Sequence, residues 1–416
     1  MAPPPATTTG NSPGLNVDNL KVLRVLGRGA MGTVLLVHDS SGDPYASIPF
    51  ALKVLDKSSV LSRCDADRRA RWEISVLSRL SHSGIVAHHP FLPHLIGSFE
   101  TEDLLGWAIP YCPGGDLNDL RYHQSDRVFS PAVIKFYAAE IVCALEHLHA
   151  SGIAYRDLKP ENVLIQRSGH VTLTDFDLSR QFNQKKVATV LLQAQEPPTF
   201  NADSQQKKRQ KNPIRFIAAA GDARWLSMKK PKPARVSPVS RRRPSFSDEE
   251  RSNSFVGTEE YVAPEIIRGE GHGFAVDWWA LGILAYELLY GRTPFKGKNR
   301  KETFRNVLVK PPEFTGKRTT LMDLIERLLE KDPTRRLGYL RGANEVKEHP
   351  FFRGMKWDLL TEVVRPPFIP SRDDGVESLK VAVGEFFRRK RQPPPPPPSP
   401  PSPSSGLQRS LSLTEF

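Results

Sequence analysis

A basic, proline-containing stretch, residues 181–251, divides the two parts of this chain that have globular patterning, so the folded body is built from two separated pieces. Between Lys207 and Arg243 stand thirteen Lys or Arg and a single acid, Asp222, which places +12 of the chain's +13 net charge in 37 residues. The rest of the chain is close to neutral. A segment with so much charge and so little to bury cannot offset the entropy of ordering itself, and it reads as a disordered insertion. Residues 1–15 and 388–416 read the same way; with the insertion they hold 20 of the 37 prolines. What remains, 16–180 and 252–387, is long enough for a sizeable core.

Other classes drop out quickly. Cys64, Cys112 and Cys143 have no metal-ligand spacing and cannot build a disulfide framework, which fits a reducing compartment. The Met-Ala-Pro-Pro-Pro start lacks the basic and apolar regions of a leader, and the most apolar stretch, Val276 to Tyr290, is interrupted by Asp277 and Glu287. A soluble intracellular protein is expected, and no repeat of solenoid length is present.

The first piece opens with three β-like runs, Leu20–Leu26, Thr33–Val37 and Phe50–Leu55, joined by turns, which predicts an antiparallel meander. A helix is predicted over Asp67–Leu80. Ser130 and Pro131 supply an N-cap and first turn, and Ile134, Tyr137, Ile141, Leu145 and Leu148 share one helix face. Further helices are predicted at Val276–Tyr290 and Leu321–Glu330. The order is a β-rich lobe followed by a mostly helical one, an α+β class.

Three features of the first piece bear on chemistry. Gly27, Gly29 and Gly32 lie between two strands, where the absence of Cβ atoms lets backbone N–H groups approach phosphate oxygens; alone, the run reads rather as an ordinary glycine-rich hairpin. Lys53 stands in an otherwise apolar strand, and Glu73 on the following helix is a partner that could aim its ammonium at phosphates. Then come Tyr155-Arg156-Asp157-Leu158-Lys159-Pro160-Glu161-Asn162, Asp175-Phe176-Asp177 and Ala263-Pro264-Glu265.

Taken in order over about residues 20–352, these motifs resemble those of protein kinases. The resemblance implies a bilobal kinase fold: an N-lobe of small antiparallel sheet plus one helix over 16–111, and a mainly helical C-lobe over 112–352 interrupted by 181–251 within the activation segment. A C-terminal tail with a polyproline run, Pro393–Pro398, follows over 353–416. ATP and Mg²⁺ are the implied cofactors. Asp157 is the implied base that orients the substrate hydroxyl, and Lys159 the cation on the transferred phosphate; Asn162 and Asp175 are the implied metal ligands. Leu26, Gly27, Gly29, Gly32, Val34, Lys53, Glu73, Pro110, Cys112 and Asp116 are the implied ATP-site residues. Pro110 offers a carbonyl to adenine and Cys112 an amide, next to Ile109 as gatekeeper. Glu265 would pair with Arg336, Asp277 would brace the catalytic loop, and Arg156 would pair with a phosphate on the activation loop.

Within the kinases, Tyr155 in place of His, Pro113-Gly114-Gly115-Asp116-Leu117 and Asp277-Trp278-Trp279 resemble the AGC group. Asp177 where most kinases have Gly, and the long insertion, resemble its plant-specific branch, AGC VIII. Phe304–Lys310 and Arg251–Thr258 are similar to the UNICORN-type kinases within it. Lys159 in the catalytic loop marks the Ser/Thr type rather than the tyrosine type. The group resemblance places Asp116, Glu161 and Glu287 where basic residues upstream of a target hydroxyl bind, and Ser254 at the activation-loop phosphosite. Asp177 removes the backbone freedom of glycine beside the metal site, which is expected to restrict the inactivating flip of the Asp-Phe pair.

Expected partners are protein substrates of a monomeric enzyme in cytoplasm and nucleus, with a peripheral membrane pool. The 3-phosphoinositide-dependent upstream kinase is a weaker expectation, because the chain closes Leu413-Thr414-Glu415-Phe416 without the full Phe-x-x-Phe ending. The basic insertion is open to an importin, to anionic lipid, or to no partner at all; specific nucleic acid ranks last, since Phe216 and Trp225 are too few aromatics for a stacking platform. Ser245, after Arg242-Arg243-Pro244, and Ser412 are candidate self-phosphorylation sites. A weakly active scaffold binding through insertion and tail is the alternative function.

Overall fold

The computed structural model describes residues 14–29, 31–41, 48–60, 65–81, 88–182, 258–362, 366–370, 379 and 381–391, excluding the side chains of 59 and 60. Its first lobe carries β1 (Leu20–Gly29), β2 (Gly32–Asp39), β3 (Phe50–Asp56), helix α1 (Ala66–Ser81), β4 (Gly97–Glu100) and β5 (Leu104–Pro110). The second carries α2 (Leu117–Tyr122), α3 (Pro131–Ala150), β6 (Ile153–Ala154), β7 (Val163–Ile165), β8 (Val171–Leu173), β9 (Arg180–Gln181), α4 (Pro264–Arg268), α5 (Ala275–Tyr290), α6 (Arg300–Val309), α7 (Thr320–Leu328) and α8 (Ala343–Lys347). Two tail elements, β10 (Val381–Ala382) and α9 (Val383–Arg391), return to the first lobe.

Strand order is β10-β1-β2-β3-β5-β4, antiparallel throughout. The predicted meander is therefore its centre, extended by a tail strand that pairs Lys21 with Ala382 and Val22 with Val381. Leu20, Val22, Leu35, Val37, Leu52, Val54 and Ala108 form a second core on one sheet face, and α9 closes it with Val383 and Phe387. Arg391 fastens the helix end through Asp56 at 2.8 Å and Asp103 at 3.0 Å.

The larger core runs from α1 through α3 to α5 and α7. Ser130 caps α3 by accepting from Val133 N at 3.4 Å, and the five residues of its predicted apolar face have no solvent exposure. In α5 thirteen of the 16 residues are buried, so this helix lies in the interior on all sides. Its Gly282 is needed for packing: a Cβ there would stand 2.9 Å from Leu328 Cβ. Helix α7 starts one residue before the predicted Leu321 and stops at Leu328, two residues short of Glu330, with Thr319 as N-cap.

Three predicted boundaries are corrected. Gly14 bridges Ser98 and Leu15 N donates to Ser98 O at 2.9 Å, so ordered chain begins inside the predicted 1–15 tail. Gln181 lies in β9 against Ile153 and Phe182 is buried, which moves the start of the insertion past 182. Helix α9 runs to Arg391, not ending at 387, because Arg391 has two carboxylates to bond. Residues 183–257 lie outside the described residues, and so do Ser245, Ser254, Ser412 and Leu413–Phe416. Among the described residues no helix is long and apolar enough to cross a membrane.

Candidate active site

Strand pairing sets the first side chain in place. Lys53 sits between Val34 on β2 and Trp107 on β5, with its ammonium 5.4 Å from the Trp107 ring centre. From there Nζ donates to Glu73 Oε2 and to Asp175 Oδ1, both at 2.8 Å. Burial opposes the charge on Lys53, yet the two carboxylates outweigh it and hold the ammonium well above its usual range. For Glu73 burial dominates and lifts its carboxyl to about 6, against the pull of Lys53. Asp175 is shifted down: burial works against its charge, but Lys53 prevails. One cation thus ties β3, α1 and the Asp175 carboxylate together.

The catalytic loop is fixed from below by α5. Asp277, with no exposure, accepts from Tyr155 N at 2.9 Å, from Arg156 N at 2.7 Å and pairs with His149 Nε2 at 2.8 Å. These bonds hold Arg156 at φ +70°, and Asp175 stands at φ +61°, left-handed conformations that side chains seldom adopt and that surrounding contacts must impose. Tyr155 fills the interior where its hydroxyl reaches Thr174 O and its ring lies 5.3 Å from Phe176. Asp277 does hold the loop, through the amides of Tyr155 and Arg156.

Around the reacting position, Asp157 Oδ2 accepts from Lys159 Nζ at 2.9 Å and from Asn162 Nδ2 at 2.8 Å. Burial, and the charge of Asp175, push the Asp157 carboxyl up, while Lys159 and Asn162 oppose the rise. Asn162 gives its amide hydrogens to Asp157 O and Oδ2, which leaves Oδ1 as the atom to face a cation. Asp175 and Asn162 together supply hard oxygen donors, fitting a small divalent ion whose remaining ligands come from phosphate and water.

In the glycine hairpin, a Cβ on Gly27 or Gly29 would meet nothing within 4 Å, so both face open space. Gly32 has another reason to be glycine: at φ +128° its Cβ would lie 2.2 Å from Val54 O, so strand pairing alone demands it. Leu26 and Val34 are half-buried above the cleft. Pro110 ends β5, and Gly114 N donates to Ile165 O at 3.0 Å, which anchors the chain just past Cys112. Burial raises the Cys112 thiol to about 12. Alkylation of Cys112 at pH 8 should therefore run about a hundredfold slower than that of a free thiol; mass spectrometry after iodoacetamide pulses checks this, and a rate equal to glutathione would contradict it.

The three acids expected to meet basic substrate residues, Asp116, Glu161 and Glu287, are arranged unevenly. Asp116 caps α2 by accepting from Asp119 N at 2.8 Å, and burial, then Asp119 and Glu161, raise its carboxyl. Glu161 is exposed. Glu287 is already engaged: Tyr261 OH donates to it at 2.6 Å and buried Arg121 lies 3.1 Å away. A further bidentate pair, Arg336 NH1 to Glu265 Oε1 at 2.7 Å and NH2 to Oε2 at 2.9 Å, lies in the C-lobe core as expected.

Sequence reasoning missed three partners: Arg69 on Asp177, Arg121 on Glu287 and Trp72 on Ser179. Only Arg69 left a trace, lying four residues before Glu73 on the same helix side.

A glycine hairpin, a strand lysine held by a helix glutamate, and an aspartate-asparagine loop braced from α5 define a phosphoryl-transfer cleft between two lobes. The chain belongs to the protein kinase family: the Protein kinase domain matches residues 20–196 and 243–352. It is 57% identical over 397 residues to the serine/threonine-protein kinase UCN of Arabidopsis thaliana, covering 94% of this chain and 95% of the relative. Similarity to UCNL of the same plant is 55% over 412 residues, covering 98% and 96%, and to OXI1 46% over 368 residues, covering 87% and 81%. It is an ATP-dependent serine/threonine kinase of the plant AGC VIII group.

Proposed function

We propose that this kinase transfers the γ-phosphate of Mg-bound ATP to serine or threonine hydroxyls that follow basic residues. The observation that supports it most is Lys53 held at 2.8 Å from both Glu73 and Asp175, beside an Asp157 that is only 6% exposed. Lys53 neutralises charge on the α- and β-phosphates, and Asp175 and Asn162 would hold a divalent ion, which when bound would supply further neutralisation. Asp157 accepts the hydrogen bond of the incoming hydroxyl and aligns its oxygen. Lys159 balances the charge that accumulates on the transferred group. The scaffold alternative is not favoured, because every one of these side chains is in place.

Basic-residue preference rests on Asp116 and Glu161, which carry free acceptor capacity, more than on Glu287, whose charge is shared with Arg121. Labelled phosphate transfer to an Arg-rich serine peptide tests this. Asp116→Asn with Glu161→Gln should raise the peptide KM by about tenfold with kcat little changed, the signature of lost ground-state binding. An unchanged KM would remove the specificity claim while leaving the kinase activity standing.

Burial, then the charge of Arg180, lower Arg156 to about 10 against the charge of Asp277. Ser254 is proposed to carry the activation-loop phosphate. The basic insertion is proposed to direct nuclear import or lipid attachment, giving cytoplasmic, nuclear and peripheral membrane pools.

A further inference from the structure

Helix α1 meets the segment 175–181 at every second residue. Glu73 reaches Asp175 through Lys53, Arg69 bonds Asp177, Trp72 Nε1 donates to Ser179 Oγ at 3.0 Å, and Arg79 NH1 donates to Gln181 Oε1 at 2.7 Å. Ser179 Oγ in turn donates to Phe176 O at 2.6 Å, which stiffens the segment itself. The Arg69 contact differs from the others in burial and charge. The Asp177 side chain is 3% exposed, next to the carboxylate of Asp175, and a buried acid beside another acid is costly unless a cation pairs with it. Arg69 is that cation.

Arg69 lies one turn, about 6 Å along the axis, before Glu73 on the same side of α1. Fixing Arg69 therefore fixes the height and rotation of Glu73. A glycine at 177 would give the helix nothing to hold.

We propose that Arg69 and Asp177 form a latch that positions α1, so that Glu73 reaches Lys53 by contacts within the folded body without requiring a phosphate on the activation loop. Arg69 is a positioning residue: it acts through Glu73 on Lys53. The proposal rests on the kinase assignment, and its test separates the two.

Initial rates with Mg-ATP and an Arg-rich serine peptide are measured on the full chain, both after phosphatase treatment and after self-phosphorylation. The latch predicts that the dephosphorylated native chain keeps at least about a third of the phosphorylated rate. It predicts that Arg69→Gln lowers kcat/KM by about tenfold in the dephosphorylated state, with KM for ATP rising more than KM for peptide. Arg69→Lys, which keeps the charge, should recover most of that loss. Asp177→Asn combined with Arg69→Gln should be no worse than the poorer single variant, a coupling of about 1.4 kcal/mol per tenfold. The proposal fails if the dephosphorylated native chain is inactive while the phosphorylated chain works, or if the single losses multiply in the double variant. It also fails if Arg69→Gln loses rate only in step with its folded fraction, read by circular dichroism. A native chain inactive in both states would overturn the catalytic reading and the latch with it.

Discussion

Lys53→Met should lower kcat by about 10³-fold or more, on the order of 4 kcal/mol of transition-state stabilisation. The ammonium sits in a low-dielectric cleft between two carboxylates at 2.8 Å, so its loss removes a preorganised positive charge and leaves Glu73 and Asp175 repelling each other. Methionine keeps most of the length and the apolar character of the lysine stem, and β3 is held by its flanking partners on β2 and β5, so the lobe should stay folded. KM for ATP should move by less than about tenfold, because the glycine hairpin and hinge still hold the nucleotide. Steady-state kinetics with labelled ATP decide the matter: a variant retaining a tenth of native kcat would mean that Lys53 is an anchor and not part of the electrostatic machinery.

The second large effect is on stability. Arg336, with no side-chain exposure, makes two bonds to Glu265 and further bonds to Glu330 O at 3.1 Å and Ala275 O at 2.8 Å, above the Trp279 ring. Removing one partner strands a charge in the core. Glu265→Gln or Arg336→Met should each destabilise by about 3–5 kcal/mol, and Glu265→Leu with Arg336→Met should recover part of that, since no charge is then left alone. Thermal melts of the single and double variants read this directly; a double variant as poor as the sum of the singles would show that the pair is worth its own bonds and not merely its neutrality.

The parts of the fold that were legible in sequence are those written in local periods. The apolar face of α3, its Ser130-Pro131 start and the strands of the meander are set by neighbours a few residues away. Site residues were legible because phosphoryl transfer asks for fixed residue types at fixed spacings, and Lys53, Glu73, Asp157, Asn162 and Asp175 do come together. What stayed hidden is non-local. The guanidinium of Arg121 meets Glu287 across 166 positions of chain, and no period or motif encodes such a meeting. Gly32 was read for phosphate approach, yet its neighbour is the Val54 carbonyl, a constraint visible only once β2 and β3 are paired. The helical reach of the tail to Arg391 was obscured because Arg388-Arg389-Lys390-Arg391 looks like a solvated basic run until Asp56 and Asp103 are placed beside its last residue.

The tail strand and helix on the first lobe carry a consequence for synthesis. Five of the sheet's six strands are present in sequence at Pro110, but β10 and the two residues that cover its outer face, Val383 and Phe387, come more than 270 residues later. At roughly 5–20 residues per second, the nascent lobe waits on the order of 15–60 s with that apolar face uncovered. The lobe translated earlier is thus finished after the later one. During that interval the nascent chain offers a chaperone a binding surface that the mature enzyme no longer has, and a frameshift or stop codon just before residue 381 would do its damage at the opposite end of the molecule.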